Sequence, residues 1–429
     1  MSSDELGETN LGQSDAVLKP GLTPPRISPF YSLTFRNFRL FFIGQLISVA
    51  GTWMQAVAQQ WLVYDLTHQA RWLGILSGAS AIPYVLFAMS GGAVADRFPR
   101  RTILVWTQTI QMILAFILAI LATNRWIALS PLHIVALAAV GGIVNAYNMP
   151  AQQAFVSDMV DDPRALGNAI ALNSFRFNMA RFLGPIMAGV VLVKYGPSAC
   201  FTVNGLSFLA VIVSLMMMRM PRFIRHEHAV SLWEGLRFIW ETKSVLRVVI
   251  LVGVGAIFLW SVSTLYPVFA ARFNVGAKGF STMVAANGVG AALGGLLLTL
   301  MGDRLPRLWQ IYGGGLLFCF AVLCLSFAPT FQIVLIILVI SGISMITFNI
   351  SANTKVQEEV PNALRGRVMA VYTLVFQGFM PIGGLEIGFM ADRIGAIPSV
   401  RINASIGLTV LLLIIFWRLF ERKRSSVTI

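Results

Sequence analysis

Charged side chains are scarce in this chain: 12% of its 429 residues are Asp, Glu, Lys or Arg, whereas 57% are hydrophobic. A soluble globular protein has about a quarter of its residues charged. The mean hydropathy of +0.75 indicates more apolar surface than an interior of ordinary size could bury. The composition therefore excludes an ordinary soluble protein and predicts a protein embedded in a lipid bilayer.

Cysteine and histidine are rare as well, with three and four copies. Cys200, Cys319 and Cys324 lie in or beside apolar stretches and resemble neither a disulfide framework nor a metal-ligand cluster. The histidines form no cluster that would suit a membrane-embedded enzyme such as an acyltransferase. The chain also lacks the loop Gly-x-x-x-x-Gly-Lys-Ser/Thr, which excludes ATP hydrolysis by that route. We therefore expect no catalytic residue, no metal and no cofactor.

The apolar residues fall into stretches of about twenty, the length at which a helix crosses the hydrocarbon core of a bilayer. Twelve segments are predicted: Leu40–Tyr64, Trp72–Ala95, Thr102–Leu121, Leu132–Val156, Leu166–Val193, Ala199–Met218, Val245–Ala270, Phe280–Met301, Trp309–Phe327, Ile333–Val356, Arg367–Met390 and Ser399–Phe420. The sequence thus predicts an all-α membrane protein with twelve transmembrane helices.

The distribution of basic residues favours one orientation. The net charge of +14 would suit nucleic-acid binding, but most Lys and Arg residues lie in the segments on the side of both chain ends. Loops on the cytoplasmic side of a membrane are enriched in Lys and Arg. We therefore expect a multi-pass protein of the bacterial inner membrane with both termini in the cytoplasm. We expect no nucleic-acid partner and a monomeric state.

The chain divides into two related halves at a polar gap, residues 219–244. We predict a disordered cytoplasmic tail at 1–35, six-helix bundles at 36–218 and 245–420, and a basic cytoplasmic tail at 421–429. Small residues recur in the two halves at a constant offset: Gly167, Ala171, Gly184, Gly189 and Gly196 match Gly366, Ala370, Gly383, Gly388 and Gly395. Repeated halves are common in secondary transporters, whose substrate site lies between them near mid-membrane.

A short apolar pattern lies inside the polar gap. Leu232, Leu236 and Ile239 share a helical face, with Trp233 and Trp240 beside it. The pattern suits an amphipathic helix on the cytoplasmic membrane surface. It suits a helical linker packed under the bundle equally well.

A glycine and several charges follow the second predicted helix in the order Gly92-x-x-x-Asp96-Arg97-x-x-Arg100-Arg101. Gly92 would let this helix approach a neighbour closely. A helix N-terminus stabilises a nearby anion by up to about 1 kcal/mol. We therefore expect Asp96 to contact the start of helix eleven, near Gly366 and Arg367, and so to close the cytoplasmic side.

Part of this pattern recurs in the second half as Asp303, Arg304 and Arg307. Asp303 could contact the start of helix five, near Gly167, in the same way. Asp158, at the inner end of helix four, is a candidate partner for one of the arginines. The alternative role of these arginines is to anchor the topology.

Helix five carries small residues and a proline in a regular pattern: Ala180, Gly184, Pro185, Ala188 and Gly189. Small residues permit close packing of helices, and proline removes a backbone donor and bends a helix. Ordinary helix packing would explain this pattern as well as a role in transport does.

The charged loop resembles the signature of the major facilitator superfamily between helices two and three. The pattern of helix five is similar to the antiporter motif of its exporters, Gly-Pro-x-x-Gly-Gly at its end, with alanine at three glycine positions. Residues 150–209, with Pro150-Ala151-Gln152-Gln153-Ala154 among the landmarks, resemble the transmembrane secretion effector group, which includes the enterobactin exporter. The resemblance covers residues 35–420. It implies the major facilitator fold and export of organic solutes such as siderophores or antibiotics.

Three charges lie at membrane depth: Arg176 and Arg181 in helix five and Glu386 in helix eleven. Such residues are costly in a bilayer and usually face a cavity or a partner. Glu386 is the candidate for proton coupling, and a structural ion pair is the alternative. Multidrug antiporters of the superfamily often carry an acidic residue in helix one and an arginine in helix four, where this chain has amides.

Helices one, four, seven and ten line the central cavity of the proteins that this chain resembles. The candidate substrate contacts are polar or aromatic residues on three of them: Gln55, Gln59, Asn145, Asn148, Gln152, Trp260, Thr264 and Tyr266. Interhelical hydrogen bonds would use the same amides, and isolated aromatic side chains often face lipid or the core.

These observations predict a secondary transporter that exports a small amphipathic solute by alternating access, coupled to proton influx. Its expected partners are a small-molecule substrate, the lipid bilayer and protons. One alternative is an importer or facilitator of a small metabolite. Further alternatives are a lipid flippase and a membrane-embedded enzyme.

Overall fold

The computed structural model describes residue 28 and residues 30–123, 129–160, 162–219, 232–301 and 304–427. Within these residues the chain is almost entirely helical, and no strand occurs. Most of the predicted tail 1–35 lies outside the described residues, as do residues 220–231 of the polar gap 219–244.

Twelve helices form the bundle, in the order α1 (Arg36–Thr67), α2 (Ala70–Arg97), α3 (Arg100–Thr123), α4 (Pro131–Asp158), α5 (163–195), α6 (197–217), α7 (Lys243–Arg272), α8 (Gly276–Met301), α9 (Arg307–Leu325), α10 (Phe331–Glu359), α11 (Asn362–Ile394) and α12 (Ala396–Val427). A separate linker helix, Leu232–Glu241, precedes α7. The order and number agree with the sequence prediction, with a few residues added at most ends.

Helices α5 and α6 follow each other without a loop, and Gly196 turns the chain between them. A straight helix over Ala165–Met217, 53 residues, would be about 80 Å long, whereas the hydrocarbon core is about 30 Å thick. Gly196 has φ 79° and ψ 178°, and the matching Gly395, between α11 and α12, has φ 91° and ψ 156°. This backbone region is essentially restricted to glycine. The glycines that repeat in the sequence therefore make the same turn in both halves.

The described residues contain 11 helices long and apolar enough to cross a membrane, with α5 and α6 counted as one. The turn at Gly196 makes the number of crossings twelve. Because that number is even, the start of α1 and the end of α12 lie on one side of the bundle, which we name the terminal side. We name the other side the opposite side.

Large apolar side chains are exposed around the bundle. Leu86 is 72% exposed, Trp106 65% and Phe416 66%. A soluble monomer rarely exposes extended apolar surface. This surface therefore faces the acyl chains of the bilayer.

Glycines allow equivalent helix pairs to pack closely in the two halves. A Cβ atom at Gly184 of α5 would lie 2.3 Å from Cβ of Trp53 and 2.9 Å from the carbonyl oxygen of Ala50, both in α1. A Cβ at the matching Gly383 of α11 would lie 2.0 Å from the carbonyl oxygen of Ile257 in α7. The sequence repeat is therefore also a repeat of helix packing.

Helix α7 is irregular at the centre of the bundle. Gly255–Leu259 form a π segment and Trp260–Leu265 a 3₁₀ segment before regular helix resumes at Tyr266. Gly255 leaves room for an indole, because a Cβ there would lie 2.7 Å from the ring of Trp260. Such π segments are rare and occur often at functional sites.

One face of the linker helix packs against the start of α11. Ile239 is buried, and a Cβ at Gly235 would lie 2.7 Å from the carbonyl oxygen of Arg367. The carboxylate of Glu234 pairs with the guanidinium of the same Arg367. The linker helix therefore contacts the N-terminal end of α11, which lies on the terminal side.

The other face of the linker helix carries exposed aromatic residues. Trp233 and Trp240 are 73% and 74% exposed. Leu236, predicted to share a helical face with Ile239, is exposed, because Gly235 takes the position against α11. The helix is thus packed under the bundle, and contact of its tryptophans with the membrane surface stays a prediction.

Candidate functional site

A cavity of about 990 Å³, a volume that includes space open to solvent, lies between the two halves at the bundle centre. Helices α1 and α5 line it from the first half, and α7 to α11 from the second. Most of its wall is apolar, and a few polar groups project into it: Gln60, Ser263, Asn287 and Ser341. A mostly apolar pocket with few placed polar groups is typical of small-molecule sites.

Arg181 of α5 is the one charged residue among the described residues that line this cavity. Its guanidinium carbon lies 5.7 Å from the ring centroid of Trp53. It has no ion pair or hydrogen bond within the described part of the chain. The cavity thus presents a cation against an indole face.

Aromatic side chains of the second half form the facing wall. Trp260, Tyr266 and Phe318 line the cavity. The ring of Trp260 lies 5.5 Å from that of Phe318 and 5.0 Å from that of Phe376, measured between centroids. Edge-on aromatic contacts of this kind fix the orientation of a ring, so the irregular stretch of α7 positions a rigid apolar surface.

The predicted substrate contacts divide into two groups. Trp260 and Tyr266 line the cavity, as expected. The other six residues do not line it: Gln55, Gln59, Asn145, Asn148, Gln152 and Thr264. Their role as substrate contacts stays a prediction.

The amides bind neighbouring helices instead. Asn148 accepts hydrogen bonds from Thr107 and Gln108 of α3, at 3.0 and 3.2 Å. Gln55 accepts a 2.7 Å hydrogen bond from Asn204 of α6. Similar bonds join Gln59 to the carbonyl of Ile134 and Gln152 to Gln45. These amides therefore hold the first half together, which is the alternative that the sequence left open.

Sequence reasoning missed the face of helix one that lines the cavity. Trp53 and Gln60 share this face because seven residues make two helical turns. The four-residue spacing of Gln55 and Gln59 indicates a different face. Asn287 and Met345 were also missed, because single polar or flexible residues in apolar helices carry no distinctive pattern.

The two halves are joined on the opposite side. At the C-terminal end of α11, Oδ1 of Asp392 accepts a 2.7 Å hydrogen bond from the backbone N–H of Ala70, the first residue of α2. Oδ2 of Asp392 lies 3.5 Å from Nε of Arg71. Nearby, the rings of Trp61 and Phe280 stack across the halves, 6.2 Å between centroids. These contacts close the cavity toward the opposite side.

On the terminal side the halves separate. A cleft lies between α2 and α4 of the first half and α11 of the second, with Tyr84 and Gln153 on one wall and Gly366 and Gln377 on the other. A Cβ at Gly366 or at Gly167, at the start of α5, would have no neighbouring atom within 4 Å. The structure is therefore in a state open toward the terminal side.

The predicted contact of Asp96 with the start of α11 is absent in this open state. Asp96 has no hydrogen bond or ion pair among the described residues. Gly92 makes no close helix contact in this conformation, because a Cβ there would meet no atom within 4 Å. The close approach occurs at Gly91, whose added Cβ would lie 2.0 Å from the carbonyl oxygen of Ala146 in α4.

The arginines of the charged loop bind within the first half. Nη1 of Arg100 lies 2.5 Å from Oδ1 of Asp158, the pairing that the sequence suggested, and also donates to the carbonyl of Ala154. Nη2 of Arg101 donates to the carbonyl of Met216 at 2.8 Å. Arg97 is exposed. Two of the three arginines thus tie α3 to α4 and α6.

The second half repeats this arrangement. Nε of Arg307 lies 3.3 Å from Oε1 of Glu358, which joins α9 to α10 as Arg100 and Asp158 join α3 to α4. Arg304 is exposed. Asp303 lies outside the described residues, so its predicted contact stays a prediction.

The small residues of α5 serve close packing. Ala180 and Ala188 are fully buried, and Gly184 packs on α1 as described above. A Cβ at Gly189 would lie 3.3 Å from Ser281 of α8, in the other half. The motif of α5 therefore contacts helices of its own half and of the other half.

The remaining charges at membrane depth lie outside the cavity. Arg176 is 2% exposed, and its guanidinium donates to Gln45 at 3.1 Å and to Asn173 at 2.8 Å. Glu386 accepts a 2.9 Å hydrogen bond from Asn403 of α12. Neither residue has an ion pair in the described part of the chain, so the structural ion pair that the sequence allowed is not formed there.

Sequence comparison identifies the family. The profile described as transmembrane secretion effector matches residues 27–428, nearly the whole chain. The chain belongs to this family of the major facilitator superfamily. The alignment to this secretion effector family spans both halves and therefore includes the cavity and both sides of the bundle.

Curated relatives of this chain are transport proteins. It is 24% identical to the staphyloferrin A transporter of Staphylococcus aureus, over 90% of this chain and 96% of that protein. It is 23% identical to the multidrug efflux pump Tap of Mycolicibacterium fortuitum, over 83% and 89% of the two chains. It is also 23% identical to the macrolide efflux protein A of Streptococcus pyogenes, over 84% and 92%.

Solved structures share the fold. A bacterial homolog of the lysosomal transporter Spinster, described as inward-facing and occupied, matches with a TM-score of 0.71 and 14% identity, over 90% of this chain and 97% of that one. A D-xylose–proton symporter matches with a TM-score of 0.69 and 13% identity, over the same shares. The twelve-helix major facilitator fold is thereby established, and the family and the structural neighbours are transporters rather than enzymes.

Proposed function

We propose that this protein is a secondary active transporter that exports a small amphipathic organic solute by alternating access. The observation that carries the proposal is a central cavity closed on the opposite side and flanked by a cleft on the terminal side. The relatives that align over most of the chain are named for efflux or siderophore transport, which supports export over uptake. A facilitator or importer would use the same fold.

The terminal side is proposed to be the cytoplasm of a bacterium, and the protein to reside in the inner membrane. The enrichment of Lys and Arg on the terminal side supports this orientation. The open state would then load solute from the cytoplasm or from the inner leaflet. Reporter fusions at both chain ends test the orientation, and a periplasmic signal from either end would contradict it.

Two carboxylates are proposed to act as alternating gates. Helices α2 and α11 run antiparallel, and each has an aspartate near its C-terminal end, on the side where the other helix begins. Asp392 holds the N-terminus of α2 in the present state. When the terminal side closes, Asp96 would hold the N-terminus of α11. This movement would require Arg367 to change its contact with Glu234. A carboxylate at a helix N-terminus is stabilised electrostatically, so each gate favours one state.

Glu386 is proposed to carry the coupled proton. The oxygen Oδ1 of Asn403, its neighbour, is buried without a partner in the described structure, while the amide nitrogen donates to Glu386. An ionised Glu386 can thus accept a hydrogen bond from Asn403, and a protonated Glu386 can donate one after a small rotation. Both protonation states have a partner, which suits a group that gains and loses a proton.

Export is tested by the accumulation of amphipathic compounds in whole cells. We expect cells that make the protein to accumulate less of at least one compound of a panel that includes a macrolide. A protonophore should restore its accumulation, since the gradient would drive export. Accumulation above that of cells with empty vector would favour the importer instead.

Proton coupling is tested by Glu386→Gln. The variant should lose export that is driven by a pH gradient but keep exchange or downhill movement of the same solute. Asp65→Asn, at an exposed position near the end of α1, is the matched control and should behave as the wild type. Unchanged gradient-driven export by Glu386→Gln would exclude this residue from coupling.

A further inference from the structure

We propose that the transported solute is an organic anion, whose charged group binds Arg181 and whose apolar body lies against the aromatic wall of the second half. The inference rests on the proposed function, because it takes the central cavity as the transport site. It goes beyond that function by assigning the charge of the solute and the residue that selects it.

The first step of the argument is the charge of the cavity. Arg181 brings one positive charge to a site near mid-membrane, and none of the described lining residues is Asp or Glu. A guanidinium at this depth loses much of its hydration. Contact with the indole face of Trp53 offsets part of this cost, and Arg181 makes no hydrogen bond or ion pair among the described residues. A sulfonate, carboxylate or phosphate group would form two parallel hydrogen bonds with the guanidinium.

The second step is a comparison with Arg176, the other guanidinium at membrane depth. Arg176 also lacks a carboxylate, but amides bind it: Gln45 and Asn173 accept its hydrogen bonds. Its side chain is 2% exposed and does not line the cavity. The amides thus bind the two terminal nitrogens of Arg176, whose Nε is buried without a hydrogen-bond partner. Arg176 is enclosed by the protein, whereas Arg181 lines the cavity and can bind a ligand there.

The third step is the arrangement of the two walls. Arg181 belongs to the first half, and Trp260, Tyr266 and Phe318 belong to the second. A solute with an anionic end and an apolar body would therefore bind both halves at once. The contacts of such a solute change when the halves move during alternating access, whereas those of a ligand bound to one half would not. An amphipathic cation would meet repulsion from Arg181 and no compensating carboxylate.

The test uses three probes that share one apolar body: biphenyl-4-sulfonate, the neutral biphenyl-4-sulfonamide and the cationic biphenyl-4-trimethylammonium. Binding to the purified full-length protein in lipid nanodiscs is measured by calorimetry, without any gradient. We expect the sulfonate to bind at least about tenfold more tightly than the sulfonamide, equivalent to about 1.4 kcal/mol. The cation should bind more weakly than the sulfonamide.

Substitution assigns the preference to one residue. Arg181→Gln should reduce the sulfonate-to-sulfonamide ratio to about one, while Arg181→Lys should keep part of it, because an ammonium is a point charge without the bidentate fork. Unchanged affinity for the sulfonamide shows that Arg181→Gln is folded. Arg401→Gln is the matched control, since Arg401 also lies over an aromatic ring, Phe327, at 4.1 Å but outside the cavity. It should keep the wild-type ratio.

Equal affinity for the three probes, preference for the cation, or no binding of the sulfonate at millimolar concentration would overturn the proposal. Loss of the ratio in Arg176→Gln but not in Arg181→Gln would overturn it too. Because binding is measured without transport, a failure to detect export in cells would leave this result intact. Conversely, export of a neutral or cationic solute would support the proposed function and contradict the inference.

Discussion

Asp392 closes the opposite side in the present state, so its replacement should favour the state that is open there. Its Oδ1 accepts a hydrogen bond from the first N–H of α2, at Ala70, and its Oδ2 lies 3.5 Å from Nε of Arg71. The side chain of Arg71 is 47% exposed, so the ion pair contributes little. The main contribution is a carboxylate at a helix N-terminus.

The expected magnitude differs between two substitutions. Asp392→Asn keeps an acceptor oxygen but loses the charge, and a charge at a helix end contributes about 0.3–1 kcal/mol and up to about 2. Asp392→Ala also loses the hydrogen bond, and a bond to a charged group contributes about 1.5–3 kcal/mol. Changes of about 1 and 2 kcal/mol alter a two-state ratio by about 5-fold and 30-fold. We expect these shifts toward the state open on the opposite side.

The assay follows a cysteine introduced at Ser77, which lies at the α2–α11 interface two turns inside the contact of Asp392. A Cβ at Gly384 of α11 would lie 2.8 Å from Oγ of Ser77, so the site is covered while the gate is closed. In a background without native cysteines, an impermeant thiol reagent added on the opposite side should react about 5-fold faster in Asp392→Asn and about 30-fold faster in Asp392→Ala. Asp65→Asn should leave the rate unchanged. An unchanged rate in Asp392→Ala would refute this account of the gate.

Three further predictions concern the other gate and the packing of the two halves. Asp96→Asn should slow transport while expression stays normal. It should also lower the reactivity of the cysteine at position 77, because it favours the state open on the terminal side. A transport rate equal to that of the wild type would exclude the gating role of Asp96. Gly383→Ala should lower the free energy of unfolding by about 1–3 kcal/mol in a thermal or denaturant assay, because overpacking against a backbone carbonyl costs that much. Gly366→Ala should instead raise the free energy of unfolding by up to about 1 kcal/mol through helix propensity. Equal effects of the two substitutions would contradict the packing described. Asp158→Asn should lower the melting temperature by removing the charged partner of the partly buried Arg100. A double-mutant cycle of Asp158 and Arg100 measures the interaction energy of the pair, and additive effects would show that the pair contributes nothing.

The helix plan was predictable because it depends on length and composition. Twenty apolar residues cross a bilayer wherever they stand in the chain, and the repeated glycines mark positions where backbone geometry or close packing leaves no alternative. Gly196 and Gly395 show this for the turns, and Gly184 and Gly383 show it for the helix contacts. These positions follow from local chemistry, so a single sequence reveals them.

The cavity was less predictable because it depends on which side of each helix faces the other half. Polar residues such as Asn148 and Gln55 looked like substrate contacts, yet an amide in a bilayer needs a hydrogen-bond partner, and a neighbouring helix supplies one as readily as a solute does. The irregular stretch of α7 leaves no periodic signal either. Arg181 was found because a charge at membrane depth is rare, but its lack of a partner could be recognised only from the structure.

The contact at Asp392 was missed for a similar reason. At the edge of a predicted helix, next to Arg393, an aspartate is typical of a solvated helix end. Its place opposite the N-terminus of α2 arises from the antiparallel arrangement of two helices from different halves. The sequence repeat relates the halves to each other but does not give the distance between their ends.

The central claim, export by alternating access, is tested most directly by membrane vesicles of the two orientations, prepared from cells that make the protein. The solute selected by the whole-cell screen is supplied outside, a proton gradient of either polarity is imposed, and the solute inside is measured by mass spectrometry. We predict concentrative uptake into everted vesicles with an acidic lumen, abolished by a protonophore, and none into right-side-out vesicles with an acidic exterior. Concentrative uptake into right-side-out vesicles alone would contradict the account.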